Sequence, residues 1–314
     1  MNIYSKFNNF RKRKFRTMTF VSYDENDNRV AIKKAATKDA YKFVNSLDEK
    51  RKLLKKVNFS IEPTDVNVED GIAKFNFVEG KSLDSLLIKA FNRRDEERFI
   101  KLIEGFIKII KNNNLVKSGH SNEFKKIFRN SADGKNLEYL KLGVVDLNFD
   151  NIILRNAEEN YSLIDYEWVF NFPIPYKFVI FRSVVSFYGK YRVYDLNKFV
   201  HIKKIYDIAK IEDEDKETFI EMELNFQNYV LRYAKDFKSY RKSILGLEED
   251  CPNNDFLSHL NSVNVKMENL EKEIGIMKNY KFWKIINLYI KYKNKLFFLI
   301  FHPICFLKKY FKFF

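Results

Sequence analysis

The sequence predicts an α+β protein of two lobes followed by a helical C-terminal extension. Strand-like runs crowd the first 80 residues, helical periodicity dominates from residue 82 to about 237, and residues 251–314 differ from both in charge and spacing. A chain of 314 residues, 46% hydrophobic and 32% charged, has the composition of a folded protein rather than a disordered one. Nine glycines and five prolines exclude collagen-like and low-complexity architectures. The expected divisions are a basic arm at 1–14, a strand-rich lobe with its linker at 15–80, a helical lobe at 81–250, and a linker with a basic amphipathic tail at 251–314.

Residues 17–36 read as a hairpin, because two runs rich in Val, Thr, Phe, Tyr and Ile flank the polar turn Glu25-Asn26-Asp27-Asn28. Tyr41, Val44, Leu47, Leu53 and Leu54 give residues 38–57 a helical period, with a break near Ser46. Residues 72–80 alternate like a strand and stop at Gly80, and Ser82 then begins a helix. The clearest amphipathic helix is 95–112, with Phe99, Leu102, Ile103, Phe106, Ile107 and Ile110 on one face. Residues 113–138 read as polar and irregular. Residues 143–154 and 161–170 read as two short strands around a polar loop, and the chain turns helical beyond Pro175. Val263, Met267, Leu270, Ile274 and Met277 follow 4-3-4-3 spacing, too briefly to define a coiled coil.

The net charge of +15 resides entirely at the two ends. Residues 1–20 hold six basic side chains and no acid, and residues 278–314 hold nine lysines and no acid. The neutral body argues against a nucleic-acid partner, and the cationic ends point to an anionic surface. In the tail, lysines interleave with Phe282, Ile285, Ile286, Tyr289 and Ile290, and the apolar stretch 296–307 is interrupted by Pro303. That stretch is too short to span a bilayer, which takes about 20 helical residues. It suits an interfacial helix on an anionic membrane or, as the alternative, a helix docked on a protein partner. Two cysteines, Cys251 and Cys305, are too few for a disulfide framework and suggest a reducing compartment. The four histidines are scattered without ligand spacing.

Four pieces fall in the order that phosphoryl transfer from ATP requires. Val30-Ala31-Ile32-Lys33 closes the hairpin's second strand with a lysine able to reach phosphates, and Glu49 on the next helix is the carboxylate expected to hold it. Phe77, Val78 and Glu79 form a connecting segment whose backbone can meet a base. Asp146 and Asn151 stand five residues apart in one loop, and Asp165 follows the apolar Ser162-Leu163-Ile164. Magnesium takes oxygen ligands and keeps several waters, so Asn151 and Asp165 suffice to hold it. Asp146 is then the group that orients an attacking hydroxyl and accepts its proton.

This order resembles the protein-kinase-like fold, and more closely its small-molecule branch of aminoglycoside phosphotransferases, choline kinases and lipopolysaccharide sugar kinases. In that resemblance FVEGKSL is the hinge, VDLNFDN the catalytic loop and LIDYEW the metal-binding segment, over roughly residues 15–235. The run from Ile164 to Arg182 is also similar to kinase modules of bacterial surface-polysaccharide enzymes. Residues 17–29 contain no glycine, Val144 stands where the family has a histidine, and Lys34 competes with Lys33 for the phosphate role. Lys33 is preferred because Ala31 and Lys33 share a strand face. Glu167, two residues after Asp165, could take a second magnesium.

The resemblance implies transfer from Mg-ATP to a hydroxyl-bearing small molecule or glycan, most concretely a sugar of a cell-surface glycan or lipid-linked precursor. The tail at 278–314 would hold the protein on the inner, cytoplasmic face of the membrane. The alternative is a catalytically inactive scaffold that recruits a glycosyltransferase there; the hairpin without glycine favours it and the intact Lys33, Asp146, Asn151 and Asp165 oppose it.

Overall fold

The computed structural model describes residues 4–24, 27–117, 121–129, 131–132, 136–155 and 161–232. The chain divides into two units, Met1–Leu247 and Glu248–Phe314. The 4-3-4-3 run at 263–277 and the basic tail lie outside the described residues.

The first lobe is built on an antiparallel five-stranded sheet. Its strands are β1 (Tyr4–Phe7), β2 (Thr17–Tyr23), β3 (Arg29–Ala35), β5 (Val66–Glu69) and β6 (Ile72–Asn76), in the spatial order β1-β2-β3-β6-β5. The pair β2 and β3 is the hairpin expected from the sequence. Against the sheet pack α1 (Tyr41–Asn45) and α2 (Leu47–Lys56), which part at Ser46, whose hydroxyl donates to the Phe43 carbonyl at 2.7 Å. The basic run at the N-terminus is not a free arm. Tyr4–Phe7 pairs with β2, and Lys12 reaches across to the second lobe, its backbone N–H donating to the Val230 carbonyl at 2.9 Å and its Nζ to the Asn228 carbonyl at 2.7 Å.

The second lobe is helical. After β7 (Lys81–Ser82) come α3 (Leu83–Asn92) and α4 (Glu96–Lys111). All six residues of the apolar face expected in α4 are buried, and Asp95 caps the helix by accepting from the Arg98 N–H. Ser82 stands at the N-cap of α3, but its hydroxyl donates to the Asp84 carboxylate rather than accepting a backbone N–H. Within the stretch expected to be irregular lies α5 (Asn122–Phe128), capped by Ser121 and buried through Phe124, Ile127 and Phe128. Seven residues give the pattern less than two turns over which to repeat. Farther on, α6 (Tyr176–Lys190), α7 (Leu196–Phe199), α8 (Ile202–Ala209) and α9 (Asp213–Val230) complete the lobe. The two-lobed α+β fold is therefore the one the sequence predicts.

Short strands sit where the lobes meet. With β4 (Glu62–Pro63), β11 (Ile152–Leu154) and β12 (Tyr161–Leu163), β7 forms a four-stranded sheet ordered β4-β12-β11-β7. A second ladder pairs β10 (Gly143–Val144) with β13 (Val169–Phe170), and a third joins β8 (Leu115–Val116), β9 (Tyr139–Leu140) and β14 (Ile174–Pro175). The sequence reads 143–154 and 161–170 as one strand each; each is in fact two strands separated by a loop. Behind them Phe15, Phe43, Trp168 and Phe226 form an aromatic seam, with Trp168 4.9 Å from Phe15 and from Phe43 and 5.4 Å from Phe226. Trp168 is core, as its position after Asp165 suggests.

Candidate active site

Ladder geometry accounts for the convergence of residues distant in sequence. Ile152 pairs with Leu163 across β11 and β12, and the Ile164 N–H donates to the Asn151 carbonyl at 2.9 Å, so Asn151 and Asp165 are brought side by side at the open end of that hairpin. Val144 pairs with Val169, and the Val145 N–H donates to the Trp168 carbonyl at 3.0 Å, which closes the other end. Asp146 and the segment 165–167 are thus held between two ladders. Val144 is fully buried in the shorter one, an apolar peg at the position where the resembling family carries a histidine.

The loop is anchored by alternation. Leu147 and Phe149 are buried, Phe149 lying 4.9 Å from Phe106, while Asn148 between them and Asp150 after them lie nearer the surface. From α6, Arg182 donates to the Val145 carbonyl at 3.0 Å and to Asn148 Oδ1 at 3.2 Å, and is itself paired with Glu223 of α9 at 2.8 Å. The Ser183 hydroxyl donates to the Leu147 carbonyl at 2.7 Å. The Asn151 amide nitrogen donates to the Asp146 carbonyl at 3.0 Å, leaving its oxygen as an acceptor.

One carboxylate oxygen from each of Asp146, Asp165 and Glu167 falls within 4.8 Å of the others. The three environments differ. Burial pushes Asp146 up to about 7, with the like charges of Asp165 and Glu167 adding to the effect against Arg182, 3.9 Å away. Asp165 keeps 45% of its side chain exposed, and its φ of +53° is a left-handed conformation held by the flanking ladders. Glu167 is 1% exposed; burial opposes its charge, yet Lys33 and Arg11 outweigh it and hold the carboxyl down at about 2.

Lys33 is buried between Asp165 Oδ1 at 2.5 Å and Glu167 Oε1 at 2.6 Å, and these two carboxylates raise its pKa against the opposing burial. Lys34 lies on the opposite face of β3 and is exposed, so Lys33 is the lysine that faces the site. Glu49, expected to hold Lys33, is exposed on α2, and the ion pairs of Lys33 are instead to Glu167 and Asp165 on a segment remote in sequence.

Between the lobes lies a cavity of about 440 Å³ that Lys33, Asn151 and Asp165 share with the linker Phe77–Gly80. Val21 and Ala31 line it from the first lobe, Ile153 and Ile164 from the second. Phe77, Val78 and Glu79 line it as expected; Arg29 pairs with Glu79 and lies 4.5 Å over the Phe77 ring, tying the hairpin to the linker at the cavity's edge. Where the hairpin turns, the Asn28 N–H donates to Asp24 Oδ1 at 2.8 Å, so a carboxylate side chain helps to close it without a glycine.

Asp165 and the Asn151 oxygen, both on the cavity, fit a magnesium ion, which takes one or two carboxylate and amide oxygens and keeps waters. Glu167 also contributes an oxygen to the carboxylate cluster, with its Oε1 engaged by Lys33 at 2.6 Å and its Oε2 by Arg11 at 2.7 Å. Three site residues escape the sequence: Arg11, one of six basic residues in a run; Arg182, in an apolar helix; and Lys50, whose Nζ donates to the Glu167 carbonyl at 2.6 Å. Burial pulls Lys50 down to about 8 against the attraction of Glu167 and Asp146.

No protein-family model and no curated protein sequence matches this chain. Among known structures, the chain is similar to a choline kinase from Streptococcus pneumoniae in complex with AMP, at 15% identity over 78% of this chain and 86% of that one, with a TM-score of 0.40. It is also similar to an ethanolamine kinase from Plasmodium vivax, at 14% identity over 78% and 80%, TM-score 0.36. A macrolide 2'-phosphotransferase from Brachybacterium faecium aligns at 6% identity over 79% and 93%, TM-score 0.37. These are likenesses of fold.

Proposed function

We propose that this chain is a magnesium-dependent phosphotransferase that moves the γ-phosphoryl group of ATP to a hydroxyl. The observation that carries the reading is the meeting of Lys33, Asn151 and Asp165 on one interlobe cavity, with the buried Asp146 within 4.8 Å of the Asp165 carboxylate. The apolar walls suit a flat base, and the linker Phe77–Gly80 offers it backbone groups. Magnesium held by Asp165 and Asn151 would screen the phosphate charge. Lys33 neutralises the non-transferred phosphates. Asp146 accepts the hydroxyl proton as the acceptor oxygen bonds to phosphorus and ADP leaves. Arg182 and Ser183 hold the loop so that this geometry exists before substrate arrives.

The acceptor we favour is a sugar of a cell-surface glycan or a lipid-linked precursor on the inner face of the membrane, since the cationic tail at 278–314 would keep the enzyme beside such a substrate. One feature supports a second reading, an inactive scaffold for a glycosyltransferase: the hairpin over the cavity has no glycine.

Mg-ATP binding and turnover separate the two. Asp165→Ala is expected to weaken Mg-ATP binding, whereas Asp146→Ala should keep binding and lose turnover by about 10²–10⁴-fold. A wild-type protein that binds no nucleotide at any magnesium concentration would refute the phosphotransferase.

A further inference from the structure

Glu167 is the least exposed charge of the carboxylate cluster, and three donors converge on it. Lys33 meets Oε1 at 2.6 Å, Arg11 meets Oε2 at 2.7 Å, and the Thr17 hydroxyl lies 3.4 Å from Oε1. Lys50 fixes the same residue's backbone by donating to its carbonyl at 2.6 Å. Arg11 arrives from outside either lobe's core. It sits in the strap between β1 and β2, which is pinned at several points: Lys12 to Val230 and Asn228, the Arg232 N–H to the Phe10 carbonyl at 2.9 Å, and Asn8 Nδ2 to the Thr17 hydroxyl at 3.2 Å. The Arg16 Nε donates to the Arg11 carbonyl at 3.0 Å, and the Arg11 guanidinium lies 5.5 Å from the Trp168 ring. The strap therefore joins the sheet to the end of α9 through Phe10 and Lys12, and reaches the segment bearing Asp165 through the Arg11 side chain.

Resting on the phosphotransferase reading, we propose that Arg11 is a positioning residue: by sharing the charge of Glu167 it sets that carboxylate as the anchor of Lys33 and leaves the lysine free to engage phosphate. Electrostatics supply the reason. A buried carboxylate with a single cation would bind it with its full charge, and Lys33 would be drawn away from the cavity. With Arg11 in place, the anion is divided between two cations and Lys33 keeps attraction to spare for Asp165 or a phosphate oxygen. Glu167 then acts as a structural anion inside the site and not as a second magnesium ligand.

The test is steady-state kinetics of the full chain with Mg-ATP and an accepted hydroxyl compound, or water where ATP hydrolysis alone is seen. Arg11→Ala should lower kcat and raise KM for ATP, with a combined loss in kcat/KM of about tenfold or more, and Arg11→Lys should recover most of it. Arg13→Ala, in the same basic run but exposed and paired with exposed Asp39, should change nothing. Together with Glu167→Gln, the Arg11 substitution should be strongly non-additive. Additive losses, or an Arg11→Ala enzyme with wild-type kinetics, overturn the proposal. So does a rise in the magnesium requirement of Glu167→Gln with KM for ATP unchanged, because that is the mark of a metal ligand. If the wild type turns over no ATP, the phosphotransferase reading falls separately, and thermal unfolding of the wild type, Arg11→Ala, Glu167→Gln and the double variant decides the anchor. Coupling between Arg11 and Glu167 sustains the pairing, and its absence refutes it.

Discussion

At the scale of single residues, the members of the candidate site are legible in sequence but their supports are not. Lys33, Asp146, Asn151 and Asp165 converge as spacing suggests, because a strand end and two loop ends are local features. Arg11, Lys50 and Arg182 act through contacts spanning more than 30 positions, and nothing in their immediate neighbours marks them. Glu49 illustrates the same limit: spacing points to a carboxylate on the nearest helix, and the counter-charge comes from Glu167 instead. A further buried charge lies at the foot of α3. Asp84 accepts from Lys190 at 2.7 Å, the Tyr191 hydroxyl at 2.8 Å and the Ser82 hydroxyl at 2.5 Å. Burial favours its neutral form, but these three donors more than compensate and lower its pKa. A carboxyl depressed in the folded state contributes stability above its unfolded pKa of about 3.9 and loses it as pH falls through the folded value. Asp84→Asn should therefore cost about 1–3 kcal/mol at pH 7, moderated because Lys190 is half exposed and retains Asp150. In urea titrations the gap from wild type should narrow below about pH 4; a gap that persists unchanged in acid would deny Asp84 its charged role.

At the scale of elements, periodicity finds what is long and misses what is short. The apolar stripe of α4 repeats over 16 residues and can be read residue by residue, and the break at Ser46 is visible because two stripes fall out of phase. The strands of two and three residues around the site carry no pattern of their own; they are set by pairing with remote partners, so β10 and β11 look like one strand. Glycines sharpen the contrast. Gly80 ends the linker at φ +147°, and a Cβ there would fall 2.3 Å from the Leu154 carbonyl oxygen, which belongs to the backbone of β11. Neither the backbone angle nor the neighbour can yield cheaply. Gly80→Ala should cost about 1–3 kcal/mol and weaken nucleotide binding through the displaced linker. Gly105, mid-way along α4, has open space where an added methyl would sit, with no neighbouring atom within 4 Å, so Gly105→Ala should stabilise by about 0.5–1 kcal/mol. Thermal unfolding of the pair reads both signs, and a stabilising Gly80→Ala would show that the linker is not held as tightly as this geometry requires.

At the scale of the whole molecule, charge and fold are segregated. The cationic ends have different fates: the N-terminal run is absorbed into the fold through Arg11 and Lys12, whereas the nine lysines of residues 278–314 follow the last described helix. No helix among the described residues is long and apolar enough to cross a membrane. If the tail holds the protein on an anionic bilayer, the full chain should sediment with vesicles containing phosphatidylserine and not with phosphatidylcholine alone. Each lysine near such a surface contributes about 1 kcal/mol, so replacing Lys308, Lys309 and Lys312 by glutamine should weaken partitioning by about 3 kcal/mol, on the order of a hundredfold. Raising salt toward 1 M, where the screening length falls to about 3 Å, should release most of the bound protein, leaving only what the phenylalanines and leucines retain. ATP turnover in solution should be unaffected by the same substitutions, because none of these lysines belongs to the proposed site. Sedimentation indifferent to lipid charge would instead favour the docked-helix reading of the tail, in which its aromatic face is covered by protein and the lysines remain in solvent.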